Sequence, residues 1–402
     1  MNVRLLMWIV IAIITGLVGG QLLPIEAFSA TESLRTILSG LLQFFIPLIV
    51  LAFIAAGVAE LRGAIGRMLS FSVILAYVDT VIGIGLGVLA ATLIIPRLVD
   101  SSASAQDGVT LPDPFFELDI DPPLAVISAL ILAFILGIGS TWEKSQTLRK
   151  LLLEFRDIVL WAIQKIVMPI IPFFIFFTFL KLSAEGTIFS NIPVFAGMFV
   201  LLIIMQWVWL GIEYTTAGIV SRTSPLPMLK AMIPAYLTGM GTMSSAVTMP
   251  VALRQAKTVK TVDQGVTDFT IPLFNTVHQA CAGIGIAIAA MTVSVITTGE
   301  LPHVATIIVF ILLLAVIEVG AVGIPGGSIL ASLGVLQSIL GFGDPEIGLM
   351  LTLFAIQDSF AAAGNVTGDG ALTMIVNKCF GKKDATAADS ESREHSEKEI
   401  DA

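Results

Sequence analysis

Asp358, Asn365 and Asp369 stand in IQDSFAAAGNVTGDG (Ile356–Gly370), within a run otherwise apolar enough to be a membrane span. At about 100° per residue, the steps between them put all three on one helix face. Two carboxylates and an amide on one stripe suit a cation, an amine or a carboxylate. Ionisable groups inside spans mark ligand and ion paths. Asp79, Glu213, His278 and Glu318 are further ionisable residues in apolar surroundings. Histidine titrates nearest physiological pH, so His278 reads either as a proton carrier or as a hydrogen-bonded structural residue.

Catalysis fits these groups poorly. Asp358 and Asp369 would lie roughly 16 Å apart on a helix at about 1.5 Å per residue, too far to share a proton. Neither an H-E-x-x-H pattern nor a paired-aspartate loop accompanies them or Ser244. The two cysteines, Cys281 and Cys379, suggest no disulfide framework and no metal cluster. The chain therefore reads as no enzyme, without a bound cofactor, and nothing in it points to nucleic acid.

The elements that position these residues must be membrane helices. Of 402 residues, 56% are hydrophobic and 13% charged, where soluble chains carry about a quarter charged. Near-uncharged runs such as Val194–Ile212 suit a hydrocarbon core about 30 Å thick. The predicted spans are Leu5–Leu22, Leu34–Ala59, Met68–Ile95, Pro122–Ser140, Leu151–Leu182, Ile192–Val220, Val266–Ile296 and Ile347–Val376. The first reads as a retained span rather than a cleaved signal. Ser224–Lys257 and Leu301–Gly343 are interrupted by Gly, Ser, Thr and Pro and read as re-entrant hairpins. Residues 381–402 are polar and of mixed charge, as in a disordered tail.

Lys and Arg placement orients the chain. With the N-terminus cytoplasmic and both interrupted segments returning to their own side, only Arg35, Arg97 and Lys181 fall outside, and Lys165 lies within a span. Full spans in place of hairpins would move Arg254, Lys257 and Lys260 outside. Both termini are then cytoplasmic, and the acidic loop Asp100–Pro123 is external. Backbone broken at membrane depth must line a protein-enclosed or wet cavity. Paired interruptions of this kind point to a transporter's substrate site, where helix N-termini favour anions and bare carbonyls hold sodium.

Three stretches resemble the dicarboxylate/amino acid:cation symporter family, the glutamate and aspartate transporters. Thr238–Arg254 (TGMGTMSSAVTMPVALR) is similar to its serine-rich first hairpin tip, and Val319–Ser328 (VGAVGIPGGS) to the Gly-Pro-Gly tip of the second. Asp358–Gly370 is similar to its final helix, with the pattern Asp-x-x-Arg-Thr-x-x-Asn-Val-x-Gly-Asp. The resemblance covers about residues 1–380. It implies an all-α polytopic membrane protein of eight transmembrane helices plus two re-entrant helical hairpins (about 224–257 and 301–343), assembled as a homotrimer. It also implies early spans that form a scaffold and a remainder that moves.

The resemblance assigns roles residue by residue. Asp358 falls where the family holds the substrate amino group, and Asn365 where an amide binds the substrate carboxylate and helps position sodium. Asp369 falls at a sodium ligand. Ser244 and Ser245 match two of three tip serines, while Pro325 and Gly326 belong to the gating second tip. Departures from the pattern matter as much. Ala361 and Ala362 stand where the family has the arginine that grips a side-chain carboxylate and the threonine after it. An acidic side chain would lack its bidentate partner, so a neutral or small amino acid is expected, with a bulkier side chain admissible. His278–Ala282 (HQACA) replaces an Asn-Met-Asp-Gly-Thr pentad and so loses a sodium-binding aspartate at Ala280. Asp79 and Thr80 stand where two hydroxyl residues line that ion site, so the carboxylate is expected to have moved between helices. Pairing of Asp79 with Lys165 or another cation is the alternative. Glu318 lies beside a further sodium position shared with Thr276, where it would bind the ion or carry a proton. Glu213 receives no role.

The expected activity is secondary active symport in a plasma (inner) membrane: an inward sodium gradient drives uptake of a small amino acid or related carboxylate. The tentative sodium ligands are Asp79, Thr80, Thr276, His278, Glu318, Asn365 and Asp369. Proton-coupled transport and a passive channel on the same scaffold are the alternatives.

Overall fold

A computed structural model describes residues 2–60, 67–99, 111–116, 118, 120–143, 145–186, 191–321 and 323–381. Regular structure in these residues is helical. The first apolar runs become α1 (Asn2–Leu22), α2 (Phe28–Glu60) and α3 (Arg67–Leu98). The fourth run, expected from Pro122, starts later as α4 (Val126–Trp142), beyond a proline pair that supplies no N–H to a helix. The fifth run divides into α5 (Gln146–Ala162), a π-turn at Ile163–Val167, and α6 (Met168–Ala184). Ser145 caps α5 by accepting the Leu148 N–H at 3.2 Å. Pro169 cannot donate to the Lys165 carbonyl, and the π-turn sits on that gap. The sixth run is α7 (Ile192–Ser221).

Both interrupted segments are helix pairs. The first comprises α8 (Leu226–Thr242) and α9 (Ser245–Ala256). Between them Met243 takes a left-handed backbone (φ 52°), and Ser244 is extended and caps α9. The second comprises α12 (Val304–Gly320) and α13 (Gly327–Leu340), with Gly326 at φ 71° just before α13. Glycine adopts that conformation without the Cβ clash that other residues meet. Each pair packs on itself.

The run read as one span, Val266–Ile296, is broken. It forms α10 (Gln264–Val277) and α11 (Ala280–Thr298), with His278 and Gln279 off helical geometry between them. The last helix, α14 (Asp344–Phe380), is continuous.

Packing falls into two sets. In one, α1 packs on α6, and α2 packs on α4, α5 and α6. In the other, α11 lies between α3, α7 and α14, while α14 also holds α8 and α10. Contacts between the sets run chiefly through α13 and α12 on α2, and α14 on α6. The approach of α3 to α11 depends on Gly87, where a Cβ would meet Ile284 at 3.1 Å. Small residues permit such approach between membrane helices.

Six stretches of described helix are long and apolar enough to cross a membrane, including Arg67–Leu98, Ile192–Ser221 and Asp344–Phe380. Of the predicted tail, all but Gly381 lies outside the described residues, as do Asp100, Asp107, Glu117 and Asp119 of the acidic loop.

Candidate functional site

The site forms where α14 passes three helix termini. Asp358 Oδ2 accepts the Gly326 N–H at 2.8 Å, at the start of α13. One turn set further on, Asn365 Oδ1 accepts the N–H groups of Cys281 at 2.9 Å and Ala282 at 3.3 Å. Its amide nitrogen donates to Gln279 Oε1 at 2.5 Å. Asn365 thus satisfies N–H groups at the α11 N-terminus, where a helix has donors without internal partners. The broken backbone at His278–Gln279 exists because a distant side chain completes its hydrogen bonding.

Between these helix ends is a small polar cavity of about 10 Å³, about the room of one water molecule. Its wall includes Met243, Ser245, Ser328, Asp358, Ala362 and Asn365, and none of its residues is basic. Of the residues assigned to substrate, Ser245, Asp358, Ala362 and Asn365 therefore converge. Pro325 and Gly326 line an adjoining apolar cavity of about 40 Å³ with Leu351 and Phe354. Asp358 and Met243 belong to both walls. Ser244 instead donates to the Gly323 carbonyl at 3.0 Å, and the Ala246 N–H reaches the same oxygen at 3.2 Å. This ties the two helix-pair tips together. Ala361 is buried in the apolar core and does not line the polar cavity. Adjacent helical residues diverge by about 100°, so Ala362 faces the cavity and Ala361 turns into packing.

A second cluster lies deeper. His278 Nδ1 is 3.0 Å from Asp369 Oδ1, and its Nε2 is 3.0 Å from Asp79 Oδ2. Glu213 Oε1 stands 3.5 Å from the same Nε2. Trp209 Nε1 also donates to Asp79 Oδ2, at 3.3 Å. The imidazole therefore bridges α3, α7 and α14. Asp79 pairs with His278 and not with Lys165, which is exposed in the π-turn. Gly368 makes the approach of α7 possible, since a Cβ there would lie 2.5 Å from Glu213 Oε2 and 2.9 Å from His278 Cε1. Thr80 is buried, and its hydroxyl has no hydrogen-bond partner among the described residues.

Glu318 is buried on α12 and accepts from Ser332 Oγ at 3.0 Å. The Thr276 hydroxyl donates to the Pro272 carbonyl at 3.1 Å. Thr276 lines a separate cavity of about 380 Å³ with Arg156, Asn275, Val319 and Gly323. No hydrogen bond between Thr276 and Glu318 occurs among the described residues.

Sequence reasoning left Glu213, Gln279 and the buried pair Gln206–Gln357 without a role. Gln206 Nε2 donates to Gln357 Oε1 at 3.1 Å and to the Cys281 carbonyl at 3.0 Å. The available signal was a polar side chain inside an apolar run, the same signal that singled out Asp79.

Comparison with known proteins gives the arrangement its family. The sodium:dicarboxylate symporter family matches residues 5–379. The chain is similar to excitatory amino acid transporter 3 of Bos taurus, 27% identical over 263 residues, covering 64% of this chain and 49% of that protein. It is also similar to the L-cystine uptake protein TcyP of Bacillus cereus, 24% identical over 307 residues, covering 72% of this chain and 65% of that protein. Excitatory amino acid transporter 4 of Mus musculus is 28% identical over 255 residues, covering 61% of this chain and 44% of that protein. The chain thus spans about half the length of the animal relatives it matches. The family and these relatives are transporters and not enzymes. With its apolar helices and a family match running almost end to end, this multi-pass membrane chain belongs to the sodium:dicarboxylate symporter family.

Proposed function

We propose that the chain is a secondary active symporter that takes up a small neutral amino acid or related carboxylate with an inward-moving cation, sodium being the cation in the family's name. The observation that carries this reading is the polar cavity whose wall has an acid and an amide but no basic residue. Asp358 offers a partner to a substrate amine. Asn365, Ser245 and the α9 N-terminus offer donors to its α-carboxylate. A second carboxylate would enter without a cation to pair with, which is costly in a buried setting. A relative named for L-cystine takes up a molecule without net charge, whose second carboxylate comes with its own ammonium group. The adjoining apolar cavity beside Pro325 offers room to a side chain larger than alanine's.

Under this reading the packing sets are working parts. A scaffold of α1, α2, α4, α5 and α6 would hold a moving unit built from the remaining helices, with both helix pairs re-entrant within eight spans. The tentative sodium ligands are Asn365 on the polar cavity wall, Asp79, Thr80, His278 and Asp369 in and beside the second cluster, and Glu318 and Thr276 apart from both. A homotrimer in the inner membrane with cytoplasmic termini follows from the resemblance and from the distribution of Lys and Arg.

The test is a thermal-shift screen of purified protein against common amino acids and dicarboxylates, with and without sodium. Uptake of the best ligand into proteoliposomes follows. Stabilisation by a neutral amino acid, increased by sodium through binding linkage, and uptake lost on collapse of the sodium gradient are expected. Stronger stabilisation by aspartate or glutamate overturns the substrate assignment. Uptake indifferent to sodium but abolished by a protonophore moves the chain to the proton-coupled alternative. Flux that never concentrates substrate makes it a channel.

A further inference from the structure

The resemblance expects sodium ligands among Asp79, His278 and Asp369, but the donors assembled here include a ring nitrogen and Glu213, a carboxylate to which the resemblance gives no role. His278 Nε2 faces two carboxylates, Asp79 Oδ2 at 3.0 Å and Glu213 Oε1 at 3.5 Å. One donor atom from each of the three residues lies within 4.8 Å of the others. Donors bound to one tetrahedral ion at about 2.0–2.2 Å stand roughly 3.3–3.6 Å apart. Small shifts therefore seat one ion among all three.

Glu213 needs a partner of this kind. Its side chain is fully buried, and neither of its oxygens has a hydrogen-bond partner among the described residues. A buried carboxylate left unpaired is costly. The imidazole does not meet that need by hydrogen bonding, because its two nitrogens already serve Asp369 and Asp79. An ion on Nε2 takes Asp79 and Glu213 together. Gly368 lets the carboxylate and the ring meet, since a Cβ there would displace both.

The outer contacts are those of a metal-bound histidine. Asp369 Oδ1 lies 3.0 Å from Nδ1, on the far side of the ring. Metal-ligating histidines hand their other N–H to a carboxylate in this way, which orients the ring and turns the remaining lone pair to the metal. Asp79 is held in turn by the Trp209 Nε1–H at 3.3 Å. Ligand type then selects the ion. Hard cations take oxygen, whereas imidazole nitrogen suits zinc and its first-row neighbours. The two carboxylate ligands balance a divalent charge.

We propose that Asp79, Glu213 and the Nε2 nitrogen of His278 form a binding site for a divalent first-row transition ion such as zinc, with Asp369 as the positioning residue for the imidazole. The ion joins α3 and α7 to the break between α10 and α11. With the Glu213 and His278 side chains fully buried, it stays with the protein rather than moving with substrate. The site goes beyond the transport reading, and its test uses no substrate, so failure to find transport and failure of this proposal are separate results.

Wild-type protein, expressed with added zinc and freed of any affinity tag, is desalted and its metal content measured. About one zinc per chain is expected. X-ray absorption at the zinc edge should show nitrogen and oxygen donors with a single imidazole and no sulfur. Zinc should raise the unfolding midpoint of metal-free protein through binding linkage, and sodium should not reproduce that rise. Wild type that takes up no zinc, or that is stabilised by sodium and not by zinc, overturns the proposal. Glu213→Gln and Asp79→Asn should each lose zinc about tenfold or more, while His303→Gln and His395→Gln keep it. Zinc undiminished by the first pair, or lost with the second, marks adventitious binding and overturns the site. Asp369→Asn should weaken zinc binding about 10- to 100-fold with the donor shell unchanged; an altered shell overturns its positioning role. The wild-type metal content and absorption spectrum decide even where a variant fails to fold.

Discussion

Glu32, Arg35, Lys181 and Asp344 form one half-buried ion cluster at the start of α14, and Asp79, Glu213, His278 and Asp369 form a more deeply buried one farther along the same helix. In the first, two bases meet two acids. Arg35 grips Glu32 through two nitrogens at 2.9 and 2.7 Å and reaches Asp344 at 3.2 Å. Lys181 completes Glu32 at 3.0 Å, while Ser39 and Gln43 complete Asp344 at 2.5 and 2.9 Å. In the second, one base meets three acids. A balanced, fully bonded cluster acts as a clamp, here between α2, α6 and α14. An acid-rich cluster is poor as a clamp, because each uncompensated charge opposes its burial. Its composition suits the cation-coupled transport proposed above.

The largest predicted effect tests the clamp. Arg35→Met strips Glu32 and Asp344 of their common partner, and with Arg35 itself buried the loss should approach the about 3–5 kcal/mol of a fully buried pair. The thermal unfolding midpoint should fall further than for any single change in the acid-rich cluster, and an equal or smaller fall would erase the contrast. Next is Gly368→Ala, whose added carbon must displace Glu213 and His278. Overpacking of this kind costs about 1–3 kcal/mol, and uptake should be lost. Gly211→Ala, with open space at its Cβ, should be silent in both assays. Asn365→Ala leaves the Cys281 and Ala282 N–H groups without their acceptor, at about 1–2 kcal/mol. It should also abolish the ligand-induced thermal shift. The smallest effect is Lys181→Met, a partly exposed member of the balanced cluster, at about 0–1 kcal/mol. A loss as large as that of Arg35→Met would show that the two bases share the clamp equally.

The helices were legible because apolar length is written locally. The α14 stripe was legible because a 3.6-residue period brings Asp358, Asn365 and Asp369 to one face, and each finds a polar partner there. The break before α11 was not legible. Its stretch is as apolar as a continuous span, and the side chain that completes it, Asn365, lies far along the chain. Glu213 escaped for the same reason, since its neighbours come from α3, from the break before α11 and from α14. At Ala361 and Ala362 the sequence comparison marked two missing side chains together, but helix geometry leaves only Ala362 on the cavity wall. Spacing within an element is readable; the neighbours that other elements bring to it are not.

The carbonyl of Gly323 has a kinetic consequence. Two donors from the first helix pair, the Ser244 hydroxyl and the Ala246 N–H, converge on that one oxygen of the second. Parting the tips breaks both bonds in a single displacement, so the contact behaves as a switch with two positions rather than a seam that opens by degrees. At about 0.5–1.5 kcal/mol net for each hydrogen bond, these two bonds favour the closed position by roughly five- to 150-fold. Thermal motion can therefore release the tips on the microsecond-to-millisecond scale of such hinges. Under the proposed transport reading, substrate binding needs to shift that ratio only modestly to set the timing of each cycle.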